Sequence, residues 1–181
     1  MNNRHHLIID ACVLINLLAS GMLERILRIA ARQSSVCVLV RSESIFLRNE
    51  TDPAELISID IQPHVDDGLI EIHDLETDAE RELFVNLAAS LDDGEAMSLA
   101  LALSRNWHVA TDDKKARRIF LENTSAGQEL VSTSLLIEQW AEAENIGQAE
   151  IKSVLTRIEK SARFQPAGAD ANYQWWLDNA R

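Results

Sequence analysis

The hydrophobic positions alternate between short apolar runs and stretches with helical spacing. The first run, Leu7–Ile9, ends at Asp10 and predicts a buried strand. Apolar residues then recur at helical intervals over residues 14–30. Ser20–Gly21 interrupts this pattern, so we expect two consecutive helices here.

The middle of the chain has strand-like patterns. The run Val36–Val40 is apolar throughout, which is typical of a central parallel strand, and a short helix is predicted over residues 44–49. Over residues 56–75 the hydrophobic period drops to two, with a turn at Asp66–Gly68. The pattern of this segment is compatible with an edge hairpin and with an excursion from the main sheet.

Helical and strand patterns alternate again towards the C-terminus. The predicted elements are helices over 76–90, 93–103 and 114–122, strands over 107–111 and 129–133, and helices over 134–144, 148–162 and around Tyr173 to Leu177. This order predicts an α/β protein with a mostly parallel central sheet flanked by helices. We expect a core of residues 1–135 and a helical extension of residues 136–181 packed on the same domain.

Composition narrows the function classes. The chain has 29 acidic and 17 basic residues, a net charge of −12. This disfavours nucleic-acid binding by bulk electrostatics, but a metal site can invert the local charge. No apolar run has the length of a membrane span or a secretory leader, so we expect a cytoplasmic protein without membrane contact. Cys12 and Cys37 are expected to be reduced thiols.

Acidic residues follow two of the predicted strands. Asp10 and Asp112 each lie between an apolar strand and a helix, and Asp93 and Glu95 open another helix. Ligands of open parallel sheets bind beyond the carboxyl ends of the strands, where these side chains converge. Carboxylates suit hard cations such as Mg²⁺ or Mn²⁺. The pattern therefore predicts a cation-binding acidic crevice.

Each acid also has a local structural role open to it. Asp93 is a good N-cap, and Glu95 in the first turn complements the helix dipole. Asp112 or Asp113 can cap the helix that follows, and Asp10 can end its strand in a turn. Only their joint position at one edge of the sheet favours a site.

A further acid is expected after the second strand. Glu43 and Glu50 are the candidates, and Glu43 is preferred because it can face the crevice from the start of its helix. Glu50 fits a solvated helix end.

Three segments carry a resemblance to a known family. They are LIIDACVLINL over residues 7–17, DGEA with LALA over residues 93–102, and VATDDKKAR over residues 109–117. In this order and spacing they resemble the PIN-domain family, in particular the VapC-like ribonuclease toxins and their stand-alone relatives. The resemblance covers about the first 135 residues.

The resemblance implies a three-layer PIN-like fold and Mg²⁺- or Mn²⁺-dependent endonucleolytic cleavage of RNA. By this likeness the catalytic acids are Asp10, Glu43, Glu95 and Asp112, with Asp93 and Asp113 as nearby metal residues. The chain departs from the family at Cys12, where many members have a serine or threonine. A thiol is a poorer hydrogen-bond partner than a hydroxyl for a water near the metal.

Basic residues follow the last acidic motif directly. Lys114, Lys115 and Arg117 are candidate substrate-binding residues that would hold phosphates, with a solvated helix face as the alternative. Arg117 belongs to the resembling motif and is expected to orient the site. Asn16 is a further candidate, either hydrogen-bonded to the acids or in a polar contact inside its helix.

The remaining chemistry-bearing residues are assigned structural roles. His64, His73 and His108 show no ligand spacing, so we expect no zinc site. Trp175 and Trp176 are predicted to pack in the core, with a partner or dimer surface as the alternative.

Two function classes remain open. The first is a metal-dependent ribonuclease, either a toxin held by a small antitoxin protein or a stand-alone processing enzyme. The second is a PIN fold with weak catalysis that acts through protein or RNA contacts. A homodimer is compatible with both.

Overall fold

The computed structural model describes residues 6–31, 33–42 and 45–181. The strands within these residues are β1 (His6–Ile9), β2 (Gln33–Cys37), β3 (Ile45–Arg48), β4 (Leu56–Ile59), β5 (Ile70–His73), β6 (His108–Ala110) and β7 (Leu130–Val131). The helices are α1 (Ala11–Ser20), α2 (Leu23–Ala30), α3 (Val38–Ser42), α4 (Gln62–Asp66), α5 (Asp78–Ala88), α6 (Asp93–Arg105), α7 (Lys114–Asn123), α8 (Thr133–Ala143), α9 (Gln148–Arg157) and α10 (Tyr173–Ala180). A π-helical segment, Ile158–Ala162, continues α9.

A five-stranded parallel sheet carries the first strand at its centre. The strand order is β5-β2-β1-β6-β7, and every neighbouring pair is parallel. Ile8 pairs with Ser35 on one side, and Ile9 pairs with Ala110 on the other. Ile8 and Ile9 are fully buried, as expected for a strand covered on both faces. The predicted α/β class with a mostly parallel central sheet is confirmed.

Contacts divide the chain into two compact units. The first contains the parallel sheet and consists of Met1–Val13, Ala31–Glu43 and Ile61–Val131. Inside it, α6 packs on β1, β2 and β6. The helix suits this position because its apolar residues, from Ala96 to Ala102, are buried almost all round.

The second unit consists of Leu14–Ala30, Ser44–Asp60 and Ser132–Arg181. Within it α2 packs on α8, and α10 packs on α9. Trp176 is fully buried and donates from Nε1 to Glu159 Oε1 at 2.9 Å, which confirms its predicted core role. Trp175 is half-buried. The division at residue 135 stays a prediction, because packing units describe contacts and not domain boundaries.

Two predicted elements are wrong. The expected strand Val36–Val40 ends at Cys37, and Val38–Ser42 is the helix α3. A short apolar run does not distinguish a strand from a buried helix. Residues 44–49 were expected to be helical, but Ile45–Arg48 is a strand paired antiparallel with Leu56–Ile59. The paired residues are 8 to 14 positions apart along the chain, and this pairing overrides the helical pattern of residues 44–49.

The segment of period two contributes to two sheets. Leu56–Ile59 forms the outer hairpin with β3, whereas Ile70–His73 is an edge strand of the parallel sheet. Between them Pro63 starts the short helix α4, as its fixed backbone favours. The predicted break at Ser20–Gly21 is confirmed, since Gly21 has φ +69° between α1 and α2. No helix in the described ranges has the length and apolar character needed to cross a membrane.

A buried ion pair joins α5 to the end of α6. Glu80 is 4% exposed, and its Oε1 accepts from Arg105 Nε at 2.7 Å. Its Oε2 also accepts from the backbone N–H groups of Glu76 and Thr77, which completes a capping box. The Arg105 hydrogen bonds and these backbone bonds lower the pKa of Glu80 to about 2.

We predict that Arg105→Met lowers the free energy of unfolding by about 3 kcal/mol, because it leaves the Glu80 carboxylate buried without its cation. Urea titration at neutral pH measures this change. The pair contributes above pH 4.5 and loses its contribution as pH falls towards 2, since folding lowers the pKa of Glu80. Arg28→Met, which removes an exposed pair with Glu24, is the control and should cost less than about 0.5 kcal/mol. Equal losses in both variants would contradict the prediction.

Candidate metal centre

Asp10 lies at the carboxyl end of β1 and is 2% exposed. Its backbone N–H donates to Ala110 O at 3.0 Å, which keeps it in line with β6. Its Oδ1 accepts from the Ala11 N–H at 2.8 Å. Its Oδ2 accepts from Thr111 Oγ1 at 2.9 Å and from Cys12 Sγ at 3.2 Å. Both carboxylate oxygens are therefore fixed by the protein.

Thr111 connects the acids of the two neighbouring strands. Its hydroxyl is fully buried, donates to Asp10 and accepts from the Asp113 N–H at 3.2 Å. Asp113 in turn caps α7, with Oδ1 accepting from Lys115 N and Ala116 N at 2.8 Å. Thr111 belongs to the motif VATDDKKAR, but the sequence pattern alone assigns it no role. A hydroxyl directly after a strand that ends beside Asp10 was the available signal.

The start of α6 brings in a second acidic group. Asp92 is the N-cap, and its side chain accepts from the Glu95 N–H at 2.8 Å. The expectation that Asp93 caps this helix is wrong, because Asp93 is the first helical residue and is exposed. The sequence carried a signal for Asp92, since an aspartate three residues before a glutamate is typical of a helix start.

The electrostatics show that these acids influence one another. Burial, and after it the charges of Asp92, Asp113 and Asp10, together raise the pKa of Glu95 to about 7. Burial also raises the pKa of Asp10, with a smaller contribution from Asp92, while its hydrogen bonds oppose the shift. Acids that raise each other's pKa lack a compensating positive charge. A cation among them would supply it.

Cys12 lies between Asp10 and Asp112. Burial raises the pKa of its thiol, and the charge of Asp10 raises it further; Asp112 adds to the shift, although its backbone N–H opposes it. The thiol is therefore protonated and donates to Asp10 Oδ2. Cys12 and Cys37 are both free, as expected for reduced thiols.

The predicted metal residues are near one another but do not form a closed cage. Asp112 and Asp113 are half-buried and follow β6, next to Asp10 at the end of β1. In the described part of the chain, no three side chains of this acidic group have their ligand atoms within 4.8 Å of one another. Glu43, the remaining predicted acid, lies outside the described residues. The hard oxygen donors fit Mg²⁺ or Mn²⁺, which bind few protein carboxylates and keep several waters.

The predicted substrate-binding residues have different environments. Lys114 and Lys115 are exposed at the start of α7, and Lys115 Nζ donates to the Ser90 carbonyl. Arg117 is half-buried and donates from Nη1 to Thr111 O at 3.0 Å. It therefore supports the residue after β6 that donates a hydrogen bond to Asp10. Asn16 is 3% exposed and donates to Thr133 Oγ1 at 3.1 Å.

A second group of metal-ligating side chains was missed by the spacing argument. His6, Glu71 and His73 have ligand atoms within 4.8 Å of one another. They come from β1 and β5, which flank β2 in the sheet, so their sequence separation hides the grouping.

The ring nitrogens of His73 in this second group already have hydrogen-bond partners. His73 Nε2 lies 3.2 Å from Glu71 Oε2, and Arg105 Nη1 lies 3.3 Å from His73 Nδ1. Since an arginine only donates, Nδ1 accepts and Nε2 carries the proton. To bind a metal ion beside Glu71, Nε2 would have to be unprotonated and Nδ1 would have to donate its proton to an acceptor. Nδ1 instead faces a donor of Arg105. These hydrogen bonds therefore do not favour a metal ion at His6, Glu71 and His73.

Comparisons with known proteins identify the family. A family model for the PIN domain matches residues 6–167. No curated protein and no solved structure matches the chain. The match extends through the parallel sheet, the acidic group and the helices α8 and α9. The chain therefore belongs to the PIN-domain family.

Proposed function

We propose that this protein is a Mg²⁺- or Mn²⁺-dependent endoribonuclease that hydrolyses RNA phosphodiester bonds. PIN domains are generally nucleases and typically use divalent metals. The observation that carries the proposal is the buried Asp10 with both oxygens fixed, in an acidic group where burial and the neighbouring carboxylates raise the pKa of Glu95 to about 7. Such an arrangement is unfavourable for stability and favourable for cation binding.

The residues of the chain have distinct roles in this proposal. Asp10, Glu95 and Asp112 would hold the cation, with Asp93, Asp113 and the predicted acid Glu43 nearby. When bound, a divalent cation activates water and neutralises phosphoryl charge. Thr111 and the Ala11 N–H hold the Asp10 carboxylate in place. Lys114 and Lys115 are exposed beside Asp113 and would attract RNA phosphates.

The proposed activity has two alternative biological settings. As a toxin of a toxin–antitoxin pair, the enzyme would be held inactive by a small antitoxin protein, whereas a stand-alone enzyme would process RNA unaided. Copurification of a small partner that suppresses cleavage would support the toxin form.

We predict that the double variant Asp10→Asn with Asp112→Asn reduces metal-dependent RNA cleavage at least about 100-fold, because amides replace two anionic ligands. Cleavage of a labelled single-stranded RNA with Mn²⁺ or Mg²⁺ measures this loss. Asp178→Asn, at an exposed position on α10, is the control and should retain full activity. Unchanged cleavage in the double variant would refute the proposed site.

A second candidate function is a PIN module with weak catalysis that works through protein or RNA contacts. The thiol of Cys12 favours it, because this weak donor is hydrogen-bonded to Asp10 where a hydroxyl would bind more strongly. A variant with a hydroxyl at position 12 therefore tests whether the protein is a nuclease or a binding module with weak catalysis.

We predict that Cys12→Ser raises metal-dependent cleavage about fivefold, equivalent to roughly 1 kcal/mol from one better hydrogen bond. Cys12→Ala removes the donor and should not raise the rate. Single-turnover cleavage rates of the three proteins decide between the candidates. No cleavage by any of them, together with retained RNA binding, would favour the binding module.

We predict that the metal-free protein loses stability as pH rises from 4.5 to about 7. The folded state raises the pKa of Glu95, so it keeps a proton that the unfolded chain releases over this range. Glu95→Gln should flatten the dependence and raise Tm by roughly 2–4 °C at about pH 7.5, allowing for solvent screening.

Thermal unfolding in a chelator across this range provides the measurement. Glu82→Gln, at an exposed position on α5, is the matched control and should leave the pH slope unchanged. Mn²⁺ should restore stability to the wild type at the upper end of the range and less to Glu95→Gln. Equal pH slopes for wild type and Glu95→Gln would contradict the prediction.

A further inference from the structure

A cavity of about 380 Å³ lies wholly within the second compact unit, among residues of α1, the β3–β4 hairpin, α9 and the π-helical segment. Much of its wall is aliphatic, with Leu18, Leu47, Ile57 and Ile59 as its larger apolar side chains. The positive charges on the wall are Arg48 and Arg157. The volume is within the range of small-molecule sites.

Arg157 is the unusual residue of this wall. Its Nε is buried and has no hydrogen-bond partner among the described residues. A buried donor without an acceptor is rare in native proteins because its lost hydration is not replaced. Other arginines of the chain are well paired: Arg25 binds Glu144 and Glu150, and Arg105 binds Glu76 and Glu80.

The absence of a side chain at Gly21 leaves space for the guanidinium of Arg157 to approach the backbone. A Cβ built at Gly21 would lie 2.9 Å from Arg157 Nη1, so a side chain there would collide with the guanidinium. Gly21 also has φ +69°, where other residues are strained. The glycine therefore serves both the turn between α1 and α2 and the close approach of Arg157.

The chemistry of the wall selects the ligand. A guanidinium binds a carboxylate through two parallel hydrogen bonds, and Arg157 Nε is a donor without an acceptor among the described residues. Four aliphatic side chains favour an apolar body on that carboxylate. Arg48 adds positive charge, and Glu50 on the same wall offsets only part of it. The charged end and the apolar wall together match a molecule with one anionic group.

We propose that this cavity is a binding site for a small apolar monocarboxylate whose anionic group pairs with Arg157. The site belongs to the second unit, whereas the acidic group belongs to the first, so this inference goes beyond the proposed nuclease activity. Aliphatic and aromatic acids share the required chemistry.

Binding of hexanoate and of benzoate to the full chain tests the proposal, with methyl NMR following Leu18, Leu47, Ile57 and Ile59. We expect saturable shifts at these methyl groups for at least one acid and none for hexan-1-ol or hexylamine. A larger aliphatic response indicates an aliphatic ligand, and a larger benzoate response an aromatic one. Tighter binding of inorganic phosphate than of both acids would overturn the apolar assignment.

Variants at the arginine complete the test. Arg157→Gln should weaken acid binding at least about tenfold, and Arg157→Lys should weaken it less, because it keeps the charge but loses the two parallel donors. Lys160→Gln, exposed and outside the cavity wall, is the control and should bind as the wild type does. Since Nε has no hydrogen-bond partner in the part of the chain that the structure describes, Arg157→Gln should keep the Tm of the wild type. Absence of saturable methyl shifts in the wild type, or equal affinity in Arg157→Gln, would overturn the proposal.

Discussion

The hydrogen bond from Thr111 Oγ1 to Asp10 Oδ2 joins the ends of two neighbouring strands, and the acidic group depends on it. It forms because β1 and β6 are parallel and in register, with Ile9 opposite Ala110. Since side chains alternate faces along a strand, a shift of one residue would turn Asp10 or Thr111 away from the other. The buried apolar run before Asp10 fixes that register. Core packing thus determines where the carboxylate lies.

Two glutamates of the same unit, Glu80 and Glu95, have pKa values shifted in opposite directions by their surroundings. Glu80 is paired with Arg105 and two backbone N–H groups, and its pKa is lowered to about 2. Glu95 is partly buried among Asp92, Asp113 and Asp10, and its pKa is raised to about 7. The first arrangement stabilises the fold by itself. The second is unfavourable without a counter-charge, as expected for a site that requires a ligand.

The positions of Asp10 and Asp112 in the fold could be predicted from the sequence, whereas some elements around them could not. An apolar run that ends in an acid is a local pattern, and parallel strands bring such ends together. Asp92 and Thr111 were missed, since their importance comes from a cap and from a neighbouring strand. The errors at Val38–Ser42 and Ile45–Arg48 have the same origin. Pairing with Leu56–Ile59 decides the second of these, and no local period carries that information.

The charge composition of the chain bears on why Arg157 Nε is unpaired among the described residues. With 29 acidic and 17 basic residues, this chain has carboxylates in excess, so a shortage of acids does not explain why Arg157 Nε has no hydrogen-bond partner among the described residues. Apolar side chains occupy much of the wall around it, and Gly21 allows the guanidinium to approach the backbone where a side chain would prevent it. The polar residues of the wall include Asn49, Glu50 and Ser161, yet none of them accepts a hydrogen bond from Arg157 Nε. Arg157 therefore keeps an unpaired donor beside the cavity, and the carboxylate of the proposed ligand would supply the missing acceptor.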